Sequence, residues 1–143
     1  MQLRTIAYQS PDYEKMIALR MDILRRPLGL SFTPEQLAAE IDDVFIIALS
    51  GDEIVGCCVL TARNKHQVQL RQMAVHEKWQ GKGVGRSLVE FAEKCARERG
   101  FIQLIMHARQ SAVGFYEKMG YVITSAAFEE VTLPHYEMQK SLE

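Results

Sequence analysis

The chain has 143 residues, 48% of them hydrophobic and 24% charged, with 17 Lys and Arg against 18 Asp and Glu for a formal net charge of -1. A domain takes roughly 100–200 residues, so residues 1–143 are expected to form a single domain around one core. The near-neutral balance excludes a protein whose affinity comes from nucleic-acid phosphates, and the ordinary apolar fraction excludes a disordered chain.

Adjacent strand residues point to opposite faces, so Cys57 and Cys58 cannot both pair with Cys95. Reduced, buried thiols in a reducing compartment follow. No C-x-x-C spacing offers a zinc or redox site, and no metal is implied. Met1 to Lys15 lacks the apolar core of a secretory signal. The longest apolar runs, Val44 to Leu49 and Ile54 to Leu60, fall far short of the roughly 20 residues of a membrane span. The expectation is a cytoplasmic protein with no membrane or nucleic-acid partner, as a monomer or homodimer.

In chain order, Leu3 to Tyr8 reads as a strand. Ser10-Pro11 then starts a helix, Ser10 capping and Pro11 at the first turn, with Met16, Ile17, Leu19 (or Arg20 by its stem), Ile23 and Leu24 at helical spacing. Arg25-Arg26-Pro27 ends it. Thr33-Pro34-Glu35-Gln36 carries a capping box that opens a short second helix ending near Asp42-Asp43. Val44 to Ser50 and Glu53 to Arg63 flank the turn Ser50-Gly51-Asp52 and read as a hairpin. Their near-continuous apolar character predicts strands covered on both faces.

Gln67 to Val75 is a further strand, with an apolar phase that slips: Val68 and Leu70 lie on one phase, Met73 and Val75 on the other. An inserted residue flips the faces in this way, which predicts a β-bulge near Arg71-Gln72. After the connection His76 to Gln80 and a glycine-dense loop, an amphipathic helix runs to Arg99 and is closed by Gly100. Its stripe of Val84, Leu88, Phe91 or Ala92, Cys95 and Ala96 is expected inside, and Arg86, Glu90, Glu93, Lys94, Arg97 and Glu98 in water. Phe101 to Ala108 completes a right-handed strand–helix–strand unit with parallel pairing. A helix from Ser111 to Met119, capped by Ser111, and an antiparallel pair, Tyr121 to Ala127 with His135 to Gln139, finish the chain.

A glycine-rich turn at a helix N-terminus is an anion site, because free amides and the helix dipole point outward, and Lys82 and Arg86 add charge of the same sign. The Walker A pattern is absent. The dinucleotide pattern G-x-G-x-x-G fails because Arg86 stands where the third glycine belongs.

Gln80-x-x-Gly83-x-Gly85 instead matches the Q/R-x-x-G-x-G/A signature of the GNAT family of N-acetyltransferases. The stretch Ala108-Arg109-Gln110-Ser111-Ala112-Val113-Gly114-Phe115-Tyr116-Glu117-Lys118-Met119-Gly120-Tyr121 resembles that family's second motif. Element order matches over nearly the whole chain. The resemblance implies a three-layer α/β (α+β) fold, its twisted sheet mixed but mostly antiparallel, with a central parallel βαβ unit and a splayed, bulged strand. It also implies acetyl-CoA as co-substrate and direct transfer of acetyl, in a ternary complex, to a primary amine of a small molecule or peptide. The alternative is a non-catalytic acyl-CoA sensor or interaction module on the same fold.

By the same resemblance, Met73, Ala74 and Val75 would hold pantetheine and polarise the thioester carbonyl through their backbone. Gln80, Gly81, Lys82, Gly83, Val84, Gly85 and Arg86 would cradle the pyrophosphate. Arg109 and Phe115 would also contact the cofactor, the family's usual Asn being absent near His107-Ala108-Arg109. Tyr116 matches the tyrosine that protonates the departing thiolate. His135, in Glu129-Glu130-Val131-Thr132-Leu133-Pro134-His135, resembles an E-x-x-I-P-H-x-x-M ending and is a second catalytic candidate. For the general base, Glu77, His76, His107, His135 and a chain of waters remain open. Arg20, Arg25 and Arg26 on the first helix suit an anionic acceptor, although arginines on helix surfaces are commonly solvated; Asp42 and Asp43 suit a cationic one.

Overall fold

The structure is a computed structural model that describes residues Met1–Glu143. Strands β1 (Gln2–Ile6), β2 (Val44–Ser50), β3 (Glu53–Ala62) and β4 (Gln67–Val75) pair antiparallel in succession. β4 then pairs parallel with β5 (Gln103–Arg109), and β5 pairs antiparallel with β8 (Leu133–Ser141). Two short strands, β6 (Val122–Ile123) and β7 (Phe128–Glu130), both pair with β8. The sheet is therefore mixed and mostly antiparallel, with one parallel pair at its centre. The closing pair expected from the sequence is three strands, because Thr124 to Ala127 leaves the ladder between two separate pairings.

Helices cover both faces. α1 (Pro11–Arg20) packs Tyr13, Met16 and Leu19 against Phe45, Ile47, Cys57, Val59 and Ala74. α3 (Val84–Glu98) packs Val84, Leu88, Ala92 and Ala96 against Ile46, Cys58, Leu70 and Met106 on the other face, beside Tyr116 of α4 (Val113–Lys118). Cys57 and Cys58 thus serve opposite cores, as alternation requires. Each apolar side chain so buried contributes about 1.5–3 kcal/mol, which is why β2 and β3 read as continuous apolar runs.

The caps form as their residue types dictate. Ser10 Oγ accepts from the Tyr13 amide at 3.2 Å. In α2 (Pro34–Ala38), Thr33 and Gln36 make the reciprocal capping box at 3.1 and 2.9 Å. Four details depart from the sequence reading. The first helix changes at Met21 into a π-helical turn, Met21–Arg25, rather than continuing as α; such wide turns recur at functional sites. Arg20 is fully buried, its charge met by Glu40 in a two-bond pair at 2.9 and 2.8 Å. Glu93 is also buried, because the Tyr121 hydroxyl (2.8 Å) and Lys140 Nζ (3.1 Å) satisfy its carboxylate. Ser111 lies in a 3-10 turn, Gln110–Ala112, and α4 begins only at Val113 with no side-chain cap.

The slipped phase of β4 is a bulge. Cys57 faces Ala74 and Val59 faces Arg71, leaving Gln72 and Met73 opposite Cys58. The bulge sits one residue beyond the expected position, with Gln72 at φ 55°. Parallel pairing of β4 with β5 stops at Leu70↔Met106. Beyond that point the two strands part, and their facing backbone edges have no partner in the sheet.

Candidate active site

The opening between the parted strands is a cleft of about 920 Å³ that reaches both faces of the sheet. On the α3 face its wall is the glycine loop. Gly81 and Gly83 adopt φ 78° and 83°, left-handed conformations that favour glycine. The first intrahelical bond runs from the Ser87 amide to the Gly83 carbonyl at 3.1 Å, so the amides of Gly83 to Arg86 have no carbonyl in the helix. The Gln80 carboxamide donates to the Val75 carbonyl at 3.0 Å and fastens the loop onto the end of β4. A Cβ on Gly85 would stand 3.4 Å from Phe115, so α3 meets α4 closely there.

Most of the residues singled out from the sequence line this cleft. Met73 and Val75 do so from the strand, and Gln80, Gly81, Gly83, Val84, Gly85 and Arg86 from the loop. Arg109, Phe115, Tyr116 and His135 come from the elements opposite. Two do not. The Ala74 side chain is buried under α1, and Lys82 is exposed, with its ammonium 5.4 Å from the centre of the Trp79 ring.

Tyr116 is buried beside Phe115 and Tyr121, with ring centres 5.0 and 5.9 Å away. Burial, with a smaller contribution from the Cys58 thiol, pushes its phenol well above the ordinary value of 10. The hydroxyl therefore stays protonated at all ordinary pH values and is a donor.

Of the candidate bases, His76 and Glu77 stand apart from the cleft: His76 Nδ1 accepts from the Lys78 amide, and Glu77 opens an exposed 3-10 turn. His107 and His135 line the cleft and meet at Glu130. Glu130 Oε1 lies 3.0 Å from His107 Nδ1, and Oε2 lies 3.7 Å from His135 Nε2. His135 is buried, with Nδ1 2.9 Å from the Leu133 carbonyl and the ring stacked on Phe128. β-pairing causes this, since His135 lies between Arg109 of β5 and Phe128 of β7. The sequence reading passed over Glu130 as a site residue. The available signal was its place in the Glu129-to-His135 segment, but only the β7–β8 turn at Val131-Thr132 folds it back over β5.

The far wall, on the α1 face, is Ile23, Leu24 and Arg25 from the π-helical turn and Arg71 from β4. Of the three arginines named from the sequence for an anionic acceptor only Arg25 lines the cleft, and Ile23, Leu24 and Arg71 were unread. Arg71 is shared between Glu40 and Asp43 at 3.5 and 3.7 Å. Asp43, held by the Thr61 hydroxyl at 2.9 Å, has its carboxyl pushed up by burial. It lies behind Arg71, outside the lining of the cleft, with Thr61 and Arg71 as its partners.

A sheet split beyond a bulge, with free helix amides at one mouth and a buried phenol inside, defines the fold class of acyl-CoA-dependent transferases. The comparisons agree. The family model described as Acetyltransferase (GNAT) domain matches residues 41–123, and the chain belongs to that family. An uncharacterized N-acetyltransferase of Chlorobaculum tepidum is 33% identical over 87 residues, 61% of this chain and 54% of that one. The chain spans about half the length of the curated relatives it matches. A solved structure from Lactobacillus plantarum shares 25% identity over the whole of both chains, with a TM-score of 0.85. A GNAT family acetyltransferase from Elizabethkingia anophelis with acetyl-CoA bound has the same fold at 19% identity, with a TM-score of 0.72 over 98% of this chain and 97% of that one. No helix of the chain is long and apolar enough to cross a membrane.

Proposed function

We propose that the protein is an acetyl-CoA-dependent N-acetyltransferase in which a primary amine attacks the thioester directly within a ternary complex. One observation carries the reading: the free amides of Gly83 to Arg86, the unpaired edge of β4 after Leu70 and the Tyr116 phenol all border one cleft. The residues fit acetyl-CoA on structural grounds. The helix amides and Arg86 suit the pyrophosphate. Backbone groups of Met73 and Val75 suit an amide-bearing arm laid along the strand, as an added strand would be. Phe115 packs against the loop that would hold it.

Acetyl-CoA supplies an activated acyl carbonyl and a thiolate leaving group. The remaining chemistry falls to side chains of this chain. The acceptor must shed a proton; Glu130, hydrogen-bonded to His107 and next to His135, takes it. The amine nitrogen then forms the C–N bond as the C–S bond breaks. Tyr116 passes its hydroxyl proton to the departing sulfur, and the second proton shed by the attacking nitrogen restores the phenol, leaving amide, free thiol and the first proton on Glu130. Burial keeps this phenol protonated, so it meets the developing thiolate as a hydrogen-bond donor, and the proton moves only as negative charge builds on the sulfur. His135, enclosed between strands, holds Glu130 in place rather than meeting the acceptor.

Acetyl-CoA is expected to raise the melting temperature where ATP and NAD do not, and amines to provoke thiol release. Tyr116→Phe should lower kcat by about 10²-fold or more, the usual scale for general acid catalysis, with acetyl-CoA binding retained. Unchanged rates across pH in that variant would remove Tyr116 as the acid.

A further inference from the structure

The charges lining the cleft are unbalanced. Arg25, Arg71, Arg86 and Arg109 line it, and Glu130 is the sole carboxylate. Arg71 is met by Glu40 and Asp43, and Arg86 by Glu90 at 2.9 Å. Arg25 and Arg109 form no ion pair. Their guanidiniums converge instead on one neutral acceptor, the Leu24 carbonyl, at 3.2 and 3.5 Å. Both are only partly exposed. Burial, then the neighbouring Arg20 and Arg109 charges, disfavour the cation at Arg25; Glu130 favours it, and Arg71 opposes it again. The Phe32 ring fixes Arg25 in this position, with its guanidinium carbon 4.4 Å from the ring centre and Arg20 at 4.7 Å.

Two converging, half-buried cations with no ion-pair partner, in a cleft lined by one acid, Glu130, are stabilised by an anion that bonds to both. This anion is not the pyrophosphate of acetyl-CoA. The glycine loop belongs to the α3 face of the sheet, whereas the π-helical turn carrying Arg25 continues α1 on the opposite face. A second group in the wall is unsatisfied: the side-chain oxygen of Gln72, at the bulge, is buried with no hydrogen-bond partner and suits an N–H donor.

We infer that the acceptor is an amine carrying an anionic group, a carboxylate or a phosphate, and that Arg25 and Arg109 bind that group. The inference rests on the acetyl-transfer reading, and it gives the cleft a polarity. The anion sits at the arginines, and the ammonium lies toward Glu130, where its proton is removed. A small zwitterion, such as an amino acid or a phosphorylated amino alcohol, satisfies both ends. The partly exposed arginines and the acidic Glu130 wall leave a polycationic acceptor repelled at one end.

Matched pairs test this at saturating cofactor: amino acids against their amides, and phosphoethanolamine against ethanolamine. Turnover is followed by thiol release, and binding in the presence of CoA by calorimetry. The anionic member of at least one pair should be preferred at least tenfold in kcat/KM or affinity, and which pair responds tells carboxylate from phosphate. Amino amides give up their ammonium proton more readily than amino acids, so intrinsic reactivity runs against this preference. Arg25→Gln should cut the preference to threefold or less with acetyl-CoA affinity unchanged, and Arg25→Lys should keep part of it. Arg109→Gln, at a residue first expected to contact the cofactor, provides a second variant if the first fails to fold, and it is scored only on the ratio of anionic to neutral acceptor at saturating acetyl-CoA. Equal use of both members in every pair, or no charge-dependent binding in any, overturns the inference while acetyl-CoA binding leaves the transferase reading standing. A preference untouched in both arginine variants overturns the assignment to this pair. Failure of acetyl-CoA to bind overturns the transferase reading itself.

Discussion

Replacing Gly56 by alanine probes how the sheet holds the glycine loop. Gly56 lies in β3 opposite Val75, the last residue of β4. α3 rests on it so closely that a Cβ there would stand 2.8 Å from Val84 Cγ1 and 2.9 Å from Leu88 Cδ1, with the Ala74 carbonyl at 3.4 Å. Both side chains are buried in the core and cannot swing away. Overpacking of this kind costs about 1–3 kcal/mol, against a gain of about 0.4–1 kcal/mol from a stiffer unfolded chain. The expected net loss is up to about 2.5 kcal/mol, or roughly 3 °C in Tm for each kcal/mol. The strain falls on Val84, the first residue of α3, so acetyl-CoA affinity should fall as well. Gly114→Ala is the control. A Cβ there meets nothing within 4 Å, and its helical position predicts a gain of about 0.5–1 kcal/mol. Urea melts and calorimetric titration with acetyl-CoA read both variants. If Gly56→Ala proves as stable as Gly114→Ala and binds acetyl-CoA normally, the absent side chain does not set the spacing between sheet and helix.

Two further outcomes follow from burial and backbone strain. Burial pushes the Cys57 thiol up to about 12 and holds the Cys58 thiol well above its ordinary value of 9. Above pH 9 the unfolded chain releases these protons while the folded chain keeps them. The unfolded state then binds fewer protons, and stability present below pH 9 declines as pH rises. The two thiols together remove about 3 kcal/mol by pH 10, so the urea midpoint should drop between pH 8 and 10, and less so in Cys57→Ala and Cys58→Ala. Equal midpoints in the parent protein would contradict the burial argument. At the β7–β8 turn, Val131 and Thr132 adopt φ 44° and 68°, where a side chain costs about 1–2 kcal/mol per residue. Val131→Asn with Thr132→Gly supplies the residues such a two-residue turn prefers and should raise Tm; a lower Tm would show that the turn is not strained.

Much of the site was legible because its signals are local. The slipped phase of Val68, Leu70, Met73 and Val75 reported the bulge to within one residue, since alternation along a strand is a property of neighbours. Gln80, Gly83 and Gly85 reported the loop, because a left-handed backbone at Gly83 and the close approach of Phe115 to Gly85 both favour glycine. The charged heads of Arg20 and Glu93 were expected in water, and are not, for the converse reason. Each sits where helix periodicity leaves the face ambiguous or polar, and each is buried by a partner far along the chain: Glu40 for Arg20, and Tyr121 and Lys140 for Glu93.

By itself, then, the sequence determined the order of elements, the two-sided cores on β2 and β3, the bulge in β4 and the glycine loop at the start of α3. Its near-zero net charge implied nothing about the acceptor. The charge pattern from which the acceptor is inferred exists only in the tertiary structure. By parting β4 from β5, by turning the chain after Arg20 into a π-helical turn, and by bringing Glu130 to His107 of β5, the fold lined one cleft with four arginines and a single carboxylate. Whole-chain charge is a sum over residues, whereas recognition depends on which charges are left uncompensated at one place, and contacts between residues far apart in the chain settle that.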